Sequence, residues 1–217
     1  MTVLITGANR GIGAALFAAY HSAGVDVQGT ARHPEDGGGL LRLDVTQPGA
    51  FADLAHALDG QAIDLLVCNS GVYLDKGANL ADGYAPELWA QTFAVNVTGV
   101  FQTIQTLLPN LQMRDGAKIA IISSVMGSDA KAPGGSYIYR SSKAAVLNVG
   151  RNLAADLRGL GIAVGIYHPG WVQTDMGGGA ADITAAESAA GLCKRFDALS
   201  VETTGCYETY DGTAIPF

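Results

Sequence analysis

Val3-Leu4-Ile5-Thr6-Gly7-Ala8-Asn9-Arg10-Gly11-Ile12-Gly13 is the stretch that decides how the chain folds. A short apolar run passes directly into a TGxxxGxG turn, and the turn opens onto Ile12–Ala23, a helix-like stretch stopped by Gly24. Glycines at 7, 11 and 13 permit a tight turn and let the backbone approach a pyrophosphate, whose charge then meets the N-terminus of the following helix. The plain alternative is a glycine-rich turn that holds no ligand. Its place at the first strand of an alternating chain tells against that alternative.

Outward from this turn, short apolar runs recur at Val3–Thr6, Val25–Ala31, Leu40–Leu43, Ile63–Val67, Lys118–Ile122 and Ile162–Tyr167. Most are continuous rather than alternating, the pattern of strands buried on both faces. Between them lie helix-like stretches at Phe51–Leu58 (opened by Pro48), Pro86–Leu108, Ser141–Arg158 and Ala185–Leu199, the last behind a capping box of Thr184 and Glu187. Strand alternating with helix predicts right-handed crossovers and a single doubly wound, Rossmann-like α/β domain over residues 1–217, with a mostly parallel sheet and helices on both faces. Only Arg32 to Gly39 separates the second strand from the third, too few residues for a crossover helix, so a loop or single turn is expected there. Gly37-Gly38-Gly39 and Gly177-Gly178-Gly179 mark two flexible loops.

Composition narrows the class. Of 217 residues, 29 are Gly, 48% are hydrophobic and 15% are charged, and no apolar run is long enough to span a bilayer. One soluble globular domain is expected, burying roughly 70% of its unfolded surface without help from disulfides or metals. Cys68, Cys193 and Cys206 lie far apart with no CxxC pair, so they read as free thiols in a reducing compartment, with no structural zinc. His21, His33, His56 and His168 have no metal-ligand spacing. Thirteen Lys and Arg against twenty Asp and Glu give a net charge of −7 without a basic cluster, which excludes nucleic-acid and anionic-membrane partners and leaves a small molecule. The N-terminal residues carry no secretory signal pattern, and a cytoplasmic location is expected.

The second strand ends Thr30-Ala31-Arg32, where a fold selecting NAD places an acid for the ribose 2′-hydroxyl. A guanidinium can pair a 2′-phosphate at two points, so Arg32 with Arg10 reads as a clamp for NADP(H). Further on, Tyr139 and Lys143 are four residues apart and share a helix face, while Ile121-Ile122-Ser123-Ser124 brings hydroxyls to the end of a strand at the same sheet edge. A phenol held by an ammonium and by a ribose would have its pKa drawn down from about 10, making Tyr139 the acid or base of a carbonyl reaction. A YxxxK pair alone is a weak signal, and its position beside the nucleotide turn gives it weight. Tyr137 has no Lys four residues on and reads as packing or pocket lining.

Taken in order, these segments resemble the short-chain dehydrogenase/reductase family over nearly the whole chain. Thr6-Gly7-Ala8-Asn9-Arg10-Gly11-Ile12-Gly13 is similar to the family's cofactor turn. Leu43-Asp44-Val45 resembles the segment whose Asp side chain and following amide hold adenine. Cys68-Asn69-Ser70-Gly71 resembles its NNAG segment, with Cys and Ser replacing Asn and Ala. Asn96 matches the helix Asn that anchors a water linked to the active-site Lys, and Pro169-Gly170-Trp171-Val172-Gln173-Thr174 matches the PGxxxT segment that closes on the nicotinamide. Ser, two residues, then Gly at Ser124-Val125-Met126-Gly127 favours Ser124 over Ser123 as the catalytic serine. Gly134-Gly135-Ser136-Tyr137, the Tyr139 to Lys143 wording and the Tyr210–Phe217 ending look most like the branch holding sniffer-type carbonyl reductases and bacterial C-factor.

The resemblance implies hydride transfer between NADP(H) and a carbonyl or alcohol carbon. Ser124 would hold the substrate oxygen, Tyr139 pass the proton, Lys143 tune Tyr139 and orient the ribose, and Asn96 support a water relay. It also implies a homodimer or homotetramer paired through the fourth and fifth helices. Trp89, Phe93, Val97 and Phe101 lie at a spacing that fits such a face and fits a core stripe equally well. A nucleotide-binding signalling or interaction protein of the same fold with little turnover is the alternative. Met126, Trp171, Met176 and the Gly177–Ala181 loop suggest an apolar, partly mobile substrate pocket.

Overall fold

The computed structural model describes residues 1–34 and 39–217. Seven strands, β1 Thr2–Ile5, β2 Asp26–Ala31, β3 Leu40–Arg42, β4 Leu65–Cys68, β5 Lys118–Ile122, β6 Ala163–His168 and β7 Tyr207–Thr209, form one sheet in the order β3-β2-β1-β4-β5-β6-β7. Every neighbouring pair is parallel, with Val3 beside Val27 and Leu65, and Ile121 beside Ile166. Six α-helices accompany them: α1 Gly11–Ser22, α2 Pro48–Ala57, α3 Pro86–Phe93, α4 Gly99–Gln112, α5 Tyr137–Arg158 and α6 Ala185–Ala198.

Successive side chains of a strand enter opposite layers, and the two cores divide accordingly. Val3 and Ile5 of β1 lie under Leu16 and Tyr20 of α1 and Leu192 and Phe196 of α6. Leu4, between them, lies in the other core with Phe51 and Leu54 of α2, Ile104 and Leu107 of α4 and Val146 of α5. Both faces being covered explains why the strands read as unbroken apolar runs. Each such side chain taken from water contributes about 1.5–3 kcal/mol, which is what holds the layers on the sheet.

Strand order reverses at β1, where the chain first builds outward through β2 and β3 and then returns to β4. A crevice therefore opens above the carboxyl ends of β1 and β4.

Three elements differ from the sequence expectations. The stretch expected as one helix over Pro86–Leu108 is divided by a π-helical turn at Ala94–Thr98 and runs on to Gln112. The insertion is invisible to a periodicity test because apolar residues continue through it. β7 was not expected, since three residues are too few to show a period, and it is recruited by pairing Tyr207 with Ile166. α5 begins at Tyr137 rather than Ser141, directly after Gly134 and Gly135, both at positive φ. The β2 to β3 connection has no room for a crossover helix, and the expected loop and its Gly37-Gly38-Gly39 tract fall largely on residues 35–38, outside those described.

Candidate active site

The glycine-rich turn is locked by contact as well as by backbone shape. A Cβ on Gly13 would stand 2.1 Å from the Gly7 carbonyl oxygen, so α1 can begin this close to β1 only with glycine there. Asn69 then stitches the ends of β1 and β4 together, its Nδ2 donating to the carbonyls of Thr6 at 3.0 Å and Gly7 at 3.1 Å. The Asn69 and Ser70 amides donate to Thr6 Oγ1. Replacement of the family's Asn and Ala by Cys68 and Ser70 leaves this bonding whole, because it uses the Asn69 side chain and main-chain amides.

Above the turn lies a cleft of about 580 Å³. Of the residues expected to hold a dinucleotide, Gly7, Asn9, Arg10, Gly11, Ile12, Arg32, Asp44, Val45, Asn69, Ser70, Gly71, Pro169 and Thr174 line it, together with Tyr139 and Lys143. Gly13, Gly170 and Val172 stand outside that lining, where Gly170 packs against Ile183 and Tyr210 and Val172 forms a bridge with Ile183. Thr46, Gln91, Ala94 and Val95 also line the cleft, and no motif pointed to them.

Arg10 and Arg32 both reach this space, but they are not equivalent. Arg10 Nη1 pairs with Asp175 Oδ2 at 3.0 Å, whereas no ion pair among the described residues engages Arg32. Asp44 turns back onto its own loop, accepting from the Thr46 amide at 3.0 Å and hydroxyl at 2.7 Å. Partial burial pushes its carboxyl up, and the Thr46 bonds with the nearby Arg32 and His33 charges bring it below the usual range.

At the inner end of the cleft, α5 presents Tyr139 and Lys143, only 7% and 5% exposed. Lys143 Nζ donates to the Ile122 carbonyl at 3.0 Å and stands 5.6 Å from the centre of the Tyr139 ring. The two serines after β5 separate cleanly: Ser123 Oγ donates to the Lys143 carbonyl at 3.2 Å, while Ser124 Oγ accepts from the Met126 amide at 3.2 Å and its hydroxyl acts on the Tyr139 phenol to lower its pKa. Gly127 completes the segment, since a Cβ there would lie 2.7 Å from the Lys143 carbonyl carbon. Tyr207 of β7 donates its hydroxyl to the Ser124 carbonyl and so braces the serine from behind.

Among the protein's own groups, burial governs the Tyr139 phenol. Burial pushes the phenol up to about 12, opposed by the Ser124 hydrogen bond and reinforced by Tyr73 and Asp75. The ammonium lies over the ring rather than against the hydroxyl, and burial lowers its own pKa to about 8. Tyr139 thus keeps its proton at neutral pH. His168, at the end of β6, is held neutral, its pKa brought down to about 4 by burial and by the Lys131 and Lys143 charges.

Asn96 lies in the π turn and is 1% exposed. Its amide accepts from the Val72 N–H and donates to the Val72 carbonyl, both at 2.9 Å, and donates to Ser142 Oγ at 3.0 Å. Ser142 in turn donates to the Tyr139 carbonyl. One side chain therefore ties the segment after β4 to the helix bearing Tyr139 and Lys143.

That segment holds two residues the sequence reading missed. Tyr73 stacks on Tyr139 with ring centres 4.2 Å apart, and Asp75 accepts from the Ile138 and Tyr139 amides. An acid within Tyr73-Leu74-Asp75-Lys76-Gly77 carries only a turn signal, and nothing in the sequence announces a contact with α5. Tyr137 packs edge-on against Tyr84. On the far side of the mouth, Trp171 Nε1 donates to the Gly177 carbonyl, and Lys76 Nζ reaches across to the Met176 carbonyl at 3.0 Å. Trp89 and Phe93 are half-buried, Val97 is half-buried and packs against the core, and Phe101 is exposed.

Comparison with known proteins gives a consistent picture. Residues 1–183 match the sequence profile of the family described as short chain dehydrogenase. The chain is 38% identical over 159 residues to the C-signal protein of Myxococcus xanthus, covering 71% of this chain and 93% of that one. It is 34% identical over 226 residues to 1-hydroxy-2-glutathionyl-2-methyl-3-butene dehydrogenase of Rhodococcus sp., covering 98% and 97%. Among solved structures, the NADPH-bound carbonyl reductase from chicken fatty liver aligns with a TM-score of 0.89 at 29% identity, covering 100% of this chain and 98% of that one. The carbonyl reductase Sniffer of D. melanogaster aligns with a TM-score of 0.90 at 26% identity, covering 100% and 99%.

Proposed function

The chain belongs to the short-chain dehydrogenase family, and on that premise we propose that it is an NADP(H)-dependent reductase of small, partly apolar carbonyl compounds. The observation that carries this reading is a cleft lined by the buried Tyr139 and Lys143 and by a glycine-rich turn with Arg10 and Arg32, with the buried Ser124 just behind that lining at the end of β5.

The residues present fit a dinucleotide. Gly13 lets α1 start tight against the Gly7 carbonyl, so that Gly7, Asn9, Gly11 and Ile12 line the cleft beside the free N–H groups at the start of α1. Gly7, Asn9, Gly11 and Ile12 would hold the pyrophosphate, Arg32 and Arg10 the 2′-phosphate, Asp44 and Val45 the adenine, and Asn69 to Gly71, Pro169 and Thr174 the nicotinamide half. NADP(H), when bound, supplies the hydride. Ser124 and Tyr139 offer hydroxyls to one substrate oxygen, and Tyr139 gives its proton to that oxygen as the carbonyl becomes an alcohol. Lys143 stabilises the phenolate left behind and orients the ribose, which makes its buried ammonium useful despite the cost of burying it. Asn96 supports a water relay to Lys143 by fixing Val72 and Ser142 beside it.

Val72, Ala94, Val95 and Met176 give the open part of the cleft an apolar lining suited to the carbon skeleton of such a substrate. The half-exposed stripe from Trp89 to Phe101 supports pairing into a homodimer or homotetramer. A panel of aldehydes, ketones and quinones, followed by loss of NADPH absorbance, tests the reading. Turnover of no member would favour a nucleotide-binding signalling role, which the likeness to the C-signal protein raises.

A further inference from the structure

We propose that Asp75 is a positioning residue of the reaction: a buried carboxylate on the segment after β4 that caps the helix bearing Tyr139 and Lys143 and so fixes where the Tyr139 hydroxyl stands. The inference rests on the reading of Tyr139 as proton donor.

α5 begins without a cap of its own. Ser136, at the N-cap position, has left-handed backbone angles (φ 49, ψ 40) and its side chain makes no capping bond. Its hydroxyl bonds the Tyr73 hydroxyl instead. The first-turn amides would be left without acceptors, and a buried helix end in that state is costly. Asp75 supplies both acceptors from 63 and 64 residues away, Oδ2 taking the Ile138 amide at 2.9 Å and Oδ1 the Tyr139 amide at 3.2 Å. Tyr73, two residues earlier, stacks on the Tyr139 ring. The same short segment therefore grips the backbone, the ring and the N-cap residue of the helix start.

A neutral amide side chain would set only one acceptor oxygen against those two amides. Asp75 is instead a carboxylate, 1% exposed, and no ion pair among the described residues involves it. A buried charge without a counter-charge is expensive even with amide donors and a helix N-terminus to face, which points to a use for the charge itself. The groups around the Tyr139 phenol are Ser124 from the end of β5, Tyr207 from β7, Tyr73 and Asp75 from the segment after β4, and Lys143 on its own helix. His168 of β6 faces Lys143, with Lys131 and Asp211 near it. Ser124 favours the ionised phenol, while Tyr73 and Asp75 oppose it. Asp75 therefore acts on Tyr139 from the backbone side, through the two amide bonds that hold the start of α5.

Asp75→Asn keeps the size and one acceptor oxygen and removes the charge, whereas Asp75→Ala removes the cap as well. In Asp75→Asn, the tyrosinate absorbance titration of Tyr139, isolated by subtracting the matching Tyr139→Phe protein, is expected to move to lower pH. The alkaline limb of kcat should move with it by about one pH unit, with KM for NADPH within about twofold of the parent. In Asp75→Ala, hydrogen exchange at Ile138 and Tyr139 should accelerate by about tenfold or more. Ile138 and Tyr139 amides that exchange as slowly in Asp75→Ala as in the parent, or an unmoved Tyr139 titration in Asp75→Asn, overturn the proposal. That titration does not require turnover. A parent protein that reduces no carbonyl defeats the oxidoreductase reading, and the titration then decides this one separately.

Discussion

Arg10 and Asp175 form an ion pair at 3.0 Å, the guanidinium rising from the glycine-rich turn and the carboxylate from the segment that follows β6. The pair competes with any anion offered to Arg10, while no ion pair among the described residues engages Arg32. NADPH is expected to bind tighter than NADH by roughly 1–3 kcal/mol, and Arg32→Ala should erase most of the difference. Asp175→Asn should raise NADPH affinity by about two- to fivefold, the scale of one exposed pair. Fluorescence titration measures all three, and equal affinity of the parent for both cofactors would remove the phosphate clamp.

Tyr139→Phe deletes one oxygen and leaves the ring stacked on Tyr73. NADPH affinity and folding should survive, while kcat falls by about 10²–10⁴, the scale of lost general acid catalysis. Carbonyl reduction by this variant within a few-fold of the parent would take Tyr139 out of the mechanism.

Lys143 carries a cost that the fold bears for function. Its pKa of about 8 lies below the 10.5 of an exposed lysine, so the unfolded chain binds the proton more tightly than the native one. The penalty is therefore full below pH 8 and vanishes as pH rises past 10.5. Lys143→Met should stabilise the cofactor-free protein by on the order of 3 kcal/mol at neutral pH, with the gain shrinking through that window, while turnover collapses. A denaturation midpoint difference that stays constant from neutral to alkaline pH would count against it.

His168 titrates in the acid range. Its folded pKa of about 4 sits below the ordinary 6.5, so native stability should drop as pH falls from 6.5 to 4 and level off below. Its share is on the order of 3 kcal/mol. His168→Gln should flatten that slope in urea unfolding, and an unchanged slope would assign the acid sensitivity elsewhere.

The architecture was legible because the apolar runs of Val3–Thr6, Lys118–Ile122 and Ile162–Tyr167 are buried on two faces and bounded by turn residues, so local pattern and tertiary role agree. The segments that line the cleft were legible for the same reason, being short stretches at strand ends. Asp75 and Tyr73 were not, because their partners Ile138, Ser136 and Tyr139 lie more than sixty residues away and meet them only when β4 and β5 are side by side. The burial that raises the Tyr139 phenol was not legible either, because no motif displays it. β7 escaped because its pairing depends on a neighbour, β6, more than on its own three residues.

Ala94–Thr98 winds as a π turn between α3 and α4. Such a turn is an α-helix with one amino acid too many, and its extra member is what brings Asn96 in line with Val72 and Ser142. Loss of a single codon anywhere in these five would restore an ordinary helix with a full set of i to i+4 bonds, yet it would rotate α3 about 100° against α4 and carry Asn96 off its partners. The stretch with the smoothest helical text is thus the one whose reading length the active site can least spare.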